Sequence, residues 1–152
     1  MRYPQLLVCT AVFAASLLSA SPSWAQGEMR FGVWDNSTNP NNVMTYEPFE
    51  KGGSKLTVSN PSKPEDSWSY VTLFDGVFRP VTGQPGSETA VELINGSPKS
   101  IRIYNKRDGE VYQVVINTLS EDNNTISNEY IRMDKAGKIT GVTHVTYLRR
   151  KK

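Results

Sequence analysis

Three Asx-Gly pairs, Asp75-Gly76, Asn95-Gly96 and Asp108-Gly109, divide the middle of this chain into segments of strand length. Such pairs are the strongest local signal of a two-residue β-hairpin, because both central positions of the favoured turn adopt positive φ. Longer polar turns of similar composition follow at 121–124 and 134–137. Consecutive hairpins leave no room for crossover helices, so the spacing predicts an antiparallel meander and excludes an α/β fold.

The segments between these turns alternate apolar and polar residues with a period of two. One segment places Ile101 and Ile103 on the same face, with charged and phenolic side chains on the other. In the next segment we place Tyr112, Val114 and Ile116 on the apolar face. Such alternation is typical of antiparallel strands that bury one side. The predicted strands are 29–35, 43–49, 55–59, 68–74, 77–81, 89–94, 100–106, 110–119, 125–133 and 139–150.

Two short motifs stand at opposite ends of this set of strands. Gly32-Val33-Trp34 lies in the first, and Tyr147-Leu148-Arg149 lies in the last. In a closed barrel the first and last strands are neighbours, so a late guanidinium can stack on an early indole, which stabilises by about 0.5–2 kcal/mol. A register change of one residue would exchange Arg149 for Arg150 as the stacking partner. We therefore predict one all-β, antiparallel up-and-down barrel of about eight to ten strands, closed by Gly32, Trp34 and Arg149.

Residues 1–25 have the layout of a secretory signal peptide. Met1-Arg2 supplies a positive charge, an apolar run covers 6–18, and Ser23-Trp24-Ala25 precedes the expected cleavage point. The run is shorter than the roughly 20 residues that span a bilayer. We expect residues 26–152 to form a single secreted or periplasmic domain without a stable membrane span. Because Cys9 is the only cysteine, that domain has no disulfide and no thiolate site.

The motifs resemble those of the calycin superfamily, which contains the lipocalins, fatty-acid-binding proteins and avidins. In that group Gly-x-Trp marks the first barrel strand, and a late Arg or Lys packs across the Trp. The stretches 72–76, 79–83 and 106–109 resemble motifs of small secreted bacterial lipocalin-like proteins without an assigned role. The resemblance implies a lipocalin-like barrel over nearly the whole mature chain. It implies no particular ligand, because 35–42 is too short for the two-helix lid of fatty-acid-binding proteins.

The inventory of reactive residues disfavours an enzyme. His144 is the only histidine, and the sequence has neither a Ser–His–acid order nor a phosphate-binding glycine loop. No cluster of histidines and carboxylates has the spacing of a zinc site. The formal net charge is +2, and the basic run 149–152 is typical of a solvated terminus, so we expect no nucleic-acid partner. We expect no catalysis, metal or cofactor; a hydrolase would need His144 beside a carboxylate in a cleft.

Aromatic residues on several predicted strands are the candidate ligand-binding groups. If they converge inside the barrel, they line a pocket for a small apolar or amphipathic molecule; the alternative is that they fill the interior. The first case predicts a non-catalytic binding protein. The second predicts a secreted interaction protein, an inhibitor or an envelope assembly factor, which meets a protein partner through loops 36–42 and 60–66. The candidate residues are Tyr46, Trp68, Tyr70, Phe74, Tyr112, Tyr130 and Tyr147.

Overall fold

A computed structural model describes residues 25–151, and strands account for most of them. The predicted signal peptide, apart from Ala25, lies outside the described residues. A short 3-10 helix at Pro64–Asp66 interrupts the connection between the third and fourth strands. The elements in chain order are α1 (Ala25–Glu28), β1 (Gly32–Asn36), β2 (Val43–Phe49), β3 (Gly53–Ser59), β4 (Trp68–Thr72), β5 (Arg79–Pro80), β6 (Ser87–Ile94), β7 (Ser97–Arg107), β8 (Glu110–Leu119), β9 (Thr125–Met133) and β10 (Ile139–Arg149).

The ten strands form one antiparallel sheet in the order β4-β3-β2-β1-β10-β9-β8-β7-β6-β5. The first and last strands are therefore hydrogen-bonded neighbours, with Trp34 opposite Arg149. The two ends of the sheet meet where Ser69 and Thr82 exchange backbone hydrogen bonds of 2.9 and 2.8 Å. The result is a nearly closed up-and-down barrel, which confirms the predicted fold class.

Two of the Asx-Gly pairs make the expected hairpins, and the third does not. Asn95 and Asp108 have φ of 52° and 49°, and the glycines that follow them are also positive. Asp75-Gly76 instead lies in a bend that takes the chain from β4, at one end of the sheet, to β5 and β6 at the other end. There Gly76 donates its N–H to Val91 O at 2.9 Å. Both terminal guanidinium nitrogens of Arg79 donate to the Asp75 carboxylate at 2.7 Å. Instead of pairing across Asp75-Gly76 as predicted, β4 and β5 stand at opposite ends of the sheet order.

The face assigned to β8 from the sequence was wrong. Asn105 pairs with Gln113 but Lys106 pairs with Val111, so Tyr112 is the extra residue of a β-bulge. Beyond the bulge the fully buried positions are Val115, Asn117 and Leu119, at 3%, 0% and 2% exposure. The period of two is correct, but the bulge places both Tyr112 and Gln113 at the cavity and so shifts the phase of the residues that follow. The inward residues of this strand are Gln113, Val115, Asn117 and Leu119.

Trp34 and Arg149 seal one end of the barrel, which we call the closed end. The Arg149 guanidinium carbon lies 4.1 Å from the centre of the Trp34 ring system, and the indole is fully buried. Arg149 also donates hydrogen bonds to the carbonyl oxygens of Phe31, Met29 and Asn123 at 2.7, 2.6 and 2.7 Å. It therefore ties the N-terminal segment and the β8–β9 turn to the last strand.

Gly32 makes this stacking possible, and Arg150 takes no part in it. Gly32 has φ of 132°, and a Cβ at this position would lie 3.1 Å from Arg149 Nη1. Arg150 points outward, where it forms an ion pair with Asp35. The register thus selects Arg149, and not its neighbour, as the partner of Trp34.

Candidate functional site: the barrel interior

The barrel encloses a cavity of about 160 Å³ that opens at the end opposite Trp34. Gln84, Glu88, Lys106 and Arg107 surround this opening, which we call the mouth. The aromatic side chains that line the cavity come from β2, β4, the bulge of β8, β9 and β10. They are Tyr46, Trp68, Tyr70, Tyr112, Tyr130 and Tyr147.

Phe74 is the one candidate aromatic residue that does not line the cavity. It lies beyond the end of β4 with φ of 58°, and its ring is 7% exposed. A Cβ placed on Gly27 would lie 3.3 Å from Phe31 and 3.4 Å from Phe74, so both rings pack against α1. Phe74 therefore packs at the closed end, because the chain leaves the strand geometry after Thr72 and the alternation of faces stops there.

The apolar wall and the charged mouth divide the cavity into two zones. Trp68 and Tyr70 lie stacked, with ring centres 6.3 Å apart and planes 21° apart. At the mouth, Lys106 forms a 3.3 Å ion pair with Glu88. Arg107 lies over the Tyr112 ring at 5.2 Å. Apolar walls with a few polar groups at defined positions are typical of small-molecule sites.

A row of buried polar side chains crosses the barrel below the cavity, and the sequence analysis did not predict it. Arg30 is fully buried and donates to Asn117 Oδ1 at 3.1 Å and to the carbonyl of Lys99 at 3.0 Å. Asn117 Nδ2 donates to Asn128 Oδ1 at 2.7 Å, and Asn128 Nδ2 donates to the Tyr130 hydroxyl at 3.0 Å. We call Arg30, Asn117, Asn128 and Tyr130 the polar relay. Its one sequence signal is the placement of Asn117 and Asn128 in step with apolar residues of their strands.

The buried phenols Tyr46 and Tyr70 stay protonated at neutral pH. Burial raises the pKa of Tyr46 to about 12, against the opposing effect of the Arg30 charge. Burial likewise raises the pKa of Tyr70 well above its usual value. The Tyr46 hydroxyl is buried without a hydrogen-bond partner in the described part of the chain. An unsatisfied hydroxyl of this kind destabilises the fold by about 1–3 kcal/mol.

His144 lies on the outer surface and not in the cavity. Because Val145 and Tyr147 face inward, strand alternation turns His144 outward, where its side chain is 72% exposed. Its Nε2 lies 3.0 Å from Glu129 Oε2, in a pocket that Ser127 also lines. A carboxylate therefore lies beside the imidazole, outside the aromatic cavity. Within residues 25–151, no group of three or more histidine, cysteine or acidic side chains is arranged to hold a metal ion.

Comparisons with known proteins leave the fold as the guide to function. No known protein family and no curated protein matches this sequence. No helix in the described residues is long and apolar enough to cross a bilayer. The nearly closed, ten-stranded antiparallel barrel is compatible with a calycin-like fold.

Proposed function

We propose that this protein is a non-catalytic, lipocalin-like binding protein that holds a small, partly apolar ligand in its barrel. The supporting observation is the continuous cavity lined by Trp68, Tyr70, Tyr112 and Tyr130. A barrel filled by its own side chains would not leave this space. The signal-peptide layout of residues 1–25 supports an extracellular or periplasmic place of action.

The size of the cavity limits what enters it. Its volume of about 160 Å³ is below the roughly 300–1,000 Å³ of sites for drug-sized ligands. It is close to that of an engineered cavity of about 150 Å³ that holds benzene. We therefore assign to it a single ring or a short chain, with the rest of any larger ligand projecting through the mouth.

A second function, recognition of a protein partner through loops, has one specific observation in its favour. The loops 36–42 and 60–66 are joined by a hydrogen bond from Ser62 Oγ to Asn41 Oδ1 at 2.7 Å. Asn36 Oδ1 also orders the first loop by accepting from the Thr38 and Asn39 amides at 2.9 and 3.0 Å. The two loops thus form one surface beside the barrel.

Native mass spectrometry of the protein purified from its own host separates the two functions. A co-purifying small molecule is the expected result, and a stoichiometric protein without a small molecule would favour the loop surface instead. The cavity-filling variant Val115→Phe should lose the small molecule, because Val115 lines the cavity. Val114→Phe is the matched control on the opposite face of β8, and it should keep the molecule. Equal retention by both variants would contradict the cavity as the site.

A further inference from the structure

The Arg30 charge is the starting point for the chemistry of the ligand. Its side chain is fully buried, and its guanidinium donates to Asn117 and to the carbonyl oxygens of Pro98 and Lys99. None of the ion pairs in residues 25–151 includes it. Arginine remains protonated in proteins, so a full positive charge lies beneath the cavity without a carboxylate to balance it.

The chemistry of arginine fixes the direction of every hydrogen bond in the polar relay. A guanidinium only donates, so Asn117 must turn its oxygen to Arg30 and its amide nitrogen to Asn128. Asn128 then presents its oxygen to Asn117 and its nitrogen to the hydroxyl of Tyr130. This order removes the usual ambiguity between the two ends of an amide side chain. The Tyr130 oxygen is therefore an acceptor, and its hydrogen is free to donate elsewhere.

The hydrogen of the Tyr130 hydroxyl is available to the cavity. Tyr130 lines the cavity, and its hydroxyl oxygen accepts a hydrogen bond from Asn128 Nδ2 at 3.0 Å. This amide occupies an acceptor position of the oxygen and leaves the hydroxyl hydrogen free to donate to a molecule in the cavity.

The charges around the cavity favour an anion. Glu88 is the only carboxylate that lines it, and this group is paired with Lys106 at the mouth. Arg107 adds a positive charge at the rim. The buried Arg30 charge lies behind the lining, where Asn117 connects it by hydrogen bonds to the lining residue Asn128. A low-dielectric interior strengthens the attraction between such charges and a bound anion.

We propose that the cavity binds small organic carboxylates, with the ring or short chain inside and one carboxylate oxygen accepting a hydrogen bond from Tyr130. This inference rests on the proposed function, since it requires the cavity to be a ligand site. It adds the chemical class of the ligand and assigns Tyr130 as the residue that selects it.

Calorimetric titration with three ring-sized probes tests the proposal on the unaltered protein. Benzoate carries the carboxylate, toluene lacks a polar group, and benzylamine carries a cation on a ring of the same size. Benzoate should bind at least about 10-fold more tightly than toluene, because a hydrogen bond to a charged group gives roughly 10- to 100-fold. Benzylamine should bind more weakly than toluene. Equal affinity for benzoate and toluene would overturn the carboxylate inference alone, whereas failure of all three probes to bind would overturn the cavity as a site.

Two Tyr→Phe variants test whether the Tyr130 hydroxyl is the source of the preference for benzoate over toluene. Tyr130→Phe should lose about 10-fold or more in benzoate affinity and keep its toluene affinity, which also reports that the barrel is folded. Tyr112→Phe removes a cavity phenol outside the relay, so its preference for benzoate should remain. A preference that survives in Tyr130→Phe, or that falls equally in both variants, would overturn the role of Tyr130.

Discussion

Removal of the Arg149 guanidinium is the most direct test of how the barrel is closed. The variant Arg149→Met keeps an unbranched apolar stem but loses three hydrogen bonds to main-chain carbonyls and the contact with Trp34. Hydrogen bonds from a charged donor contribute about 1.5–3 kcal/mol each, and the cation–π contact contributes about 0.5–2 kcal/mol. Water can reach the freed carbonyls at this half-buried site, so these terms do not add fully. We expect the free energy of unfolding to fall by about 3–5 kcal/mol.

Urea and thermal unfolding followed by circular dichroism measure this loss. For a domain of this size 1 kcal/mol corresponds to about 3–5 °C in Tm, so Arg149→Met should melt roughly 10–20 °C lower. Arg150→Met is the matched control, because the adjacent guanidinium is exposed and, within residues 25–151, pairs only with Asp35. That variant should unfold almost as the parent protein does. Equal losses in the two variants would refute the assignment of Arg149 as the closing residue.

Three further perturbations test separate parts of the structure. Gly32→Ala should destabilise the fold by about 1–3 kcal/mol, since φ at this position is 132°. Gly141→Ala is the control, because open space surrounds this position, and it should keep the parent stability. Equal urea midpoints for the two variants would contradict the special role of Gly32. The pKa of Tyr46 rises from 10 to about 12 on folding, so the native state holds the phenol proton more tightly than the unfolded chain does. The contribution of this proton to the free energy of unfolding is complete below pH 10 and is lost as the pH rises toward 12. Tyr46→Phe should remove this part of the alkaline loss in a pH series of unfolding curves, and an unchanged alkaline slope would count against it. Residues 139–145 of β10 pair only with β9 in the described structure, and the alternation of donors along β10 turns the Val142 N–H away from β9. Val142→Pro should therefore keep nearly the parent Tm, whereas Thr143→Pro should lower the Tm strongly. A larger loss of Tm in Val142→Pro would show that the Val142 N–H, and not the Thr143 N–H, donates to β9.

The parts of the fold that could be predicted from sequence depend on local or pairwise chemistry. Asn95-Gly96 and Asp108-Gly109 make their hairpins because positive φ is decided by the residues themselves. The contact between Trp34 and Arg149 could be predicted because closure of an up-and-down barrel makes the terminal strands neighbours. Five of the seven candidate aromatics line the cavity because strand alternation carries them inward, and Tyr112 joins them from the bulge of β8.

The polar relay and the phase of β8 could not be predicted because both depend on long-range partners. Alternation assigns a polar residue to the solvent side, so it places Asn117 outside unless a buried donor such as Arg30 is known to meet it. Those two residues are separated by 87 positions in the chain. The bulge at Tyr112 shifts the phase of its strand, and no residue type identifies a bulge of this kind. Asp75-Gly76 does not form a two-residue hairpin because β4 ends at Thr72 and Asp75 pairs with Glu92, a long-range partner in β6.

The meeting of β4 with β5 determines where the barrel wall can part. In the described residues two isolated bridges join this border of the sheet: the reciprocal hydrogen bonds between Ser69 and Thr82, and the bridge between Asp75 and Glu92. By contrast, β9 and β10 are paired along nine positions. Gly83 permits this approach, since a Cβ there would lie 2.6 Å from the Ser67 carbonyl oxygen. Transient separation at this junction would widen the cavity while every long strand pair stays intact. In hydrogen exchange we expect the Ser69 and Thr82 amides to exchange far sooner than those between β9 and β10, so that entry of a ligand wider than the mouth needs no unfolding of the barrel.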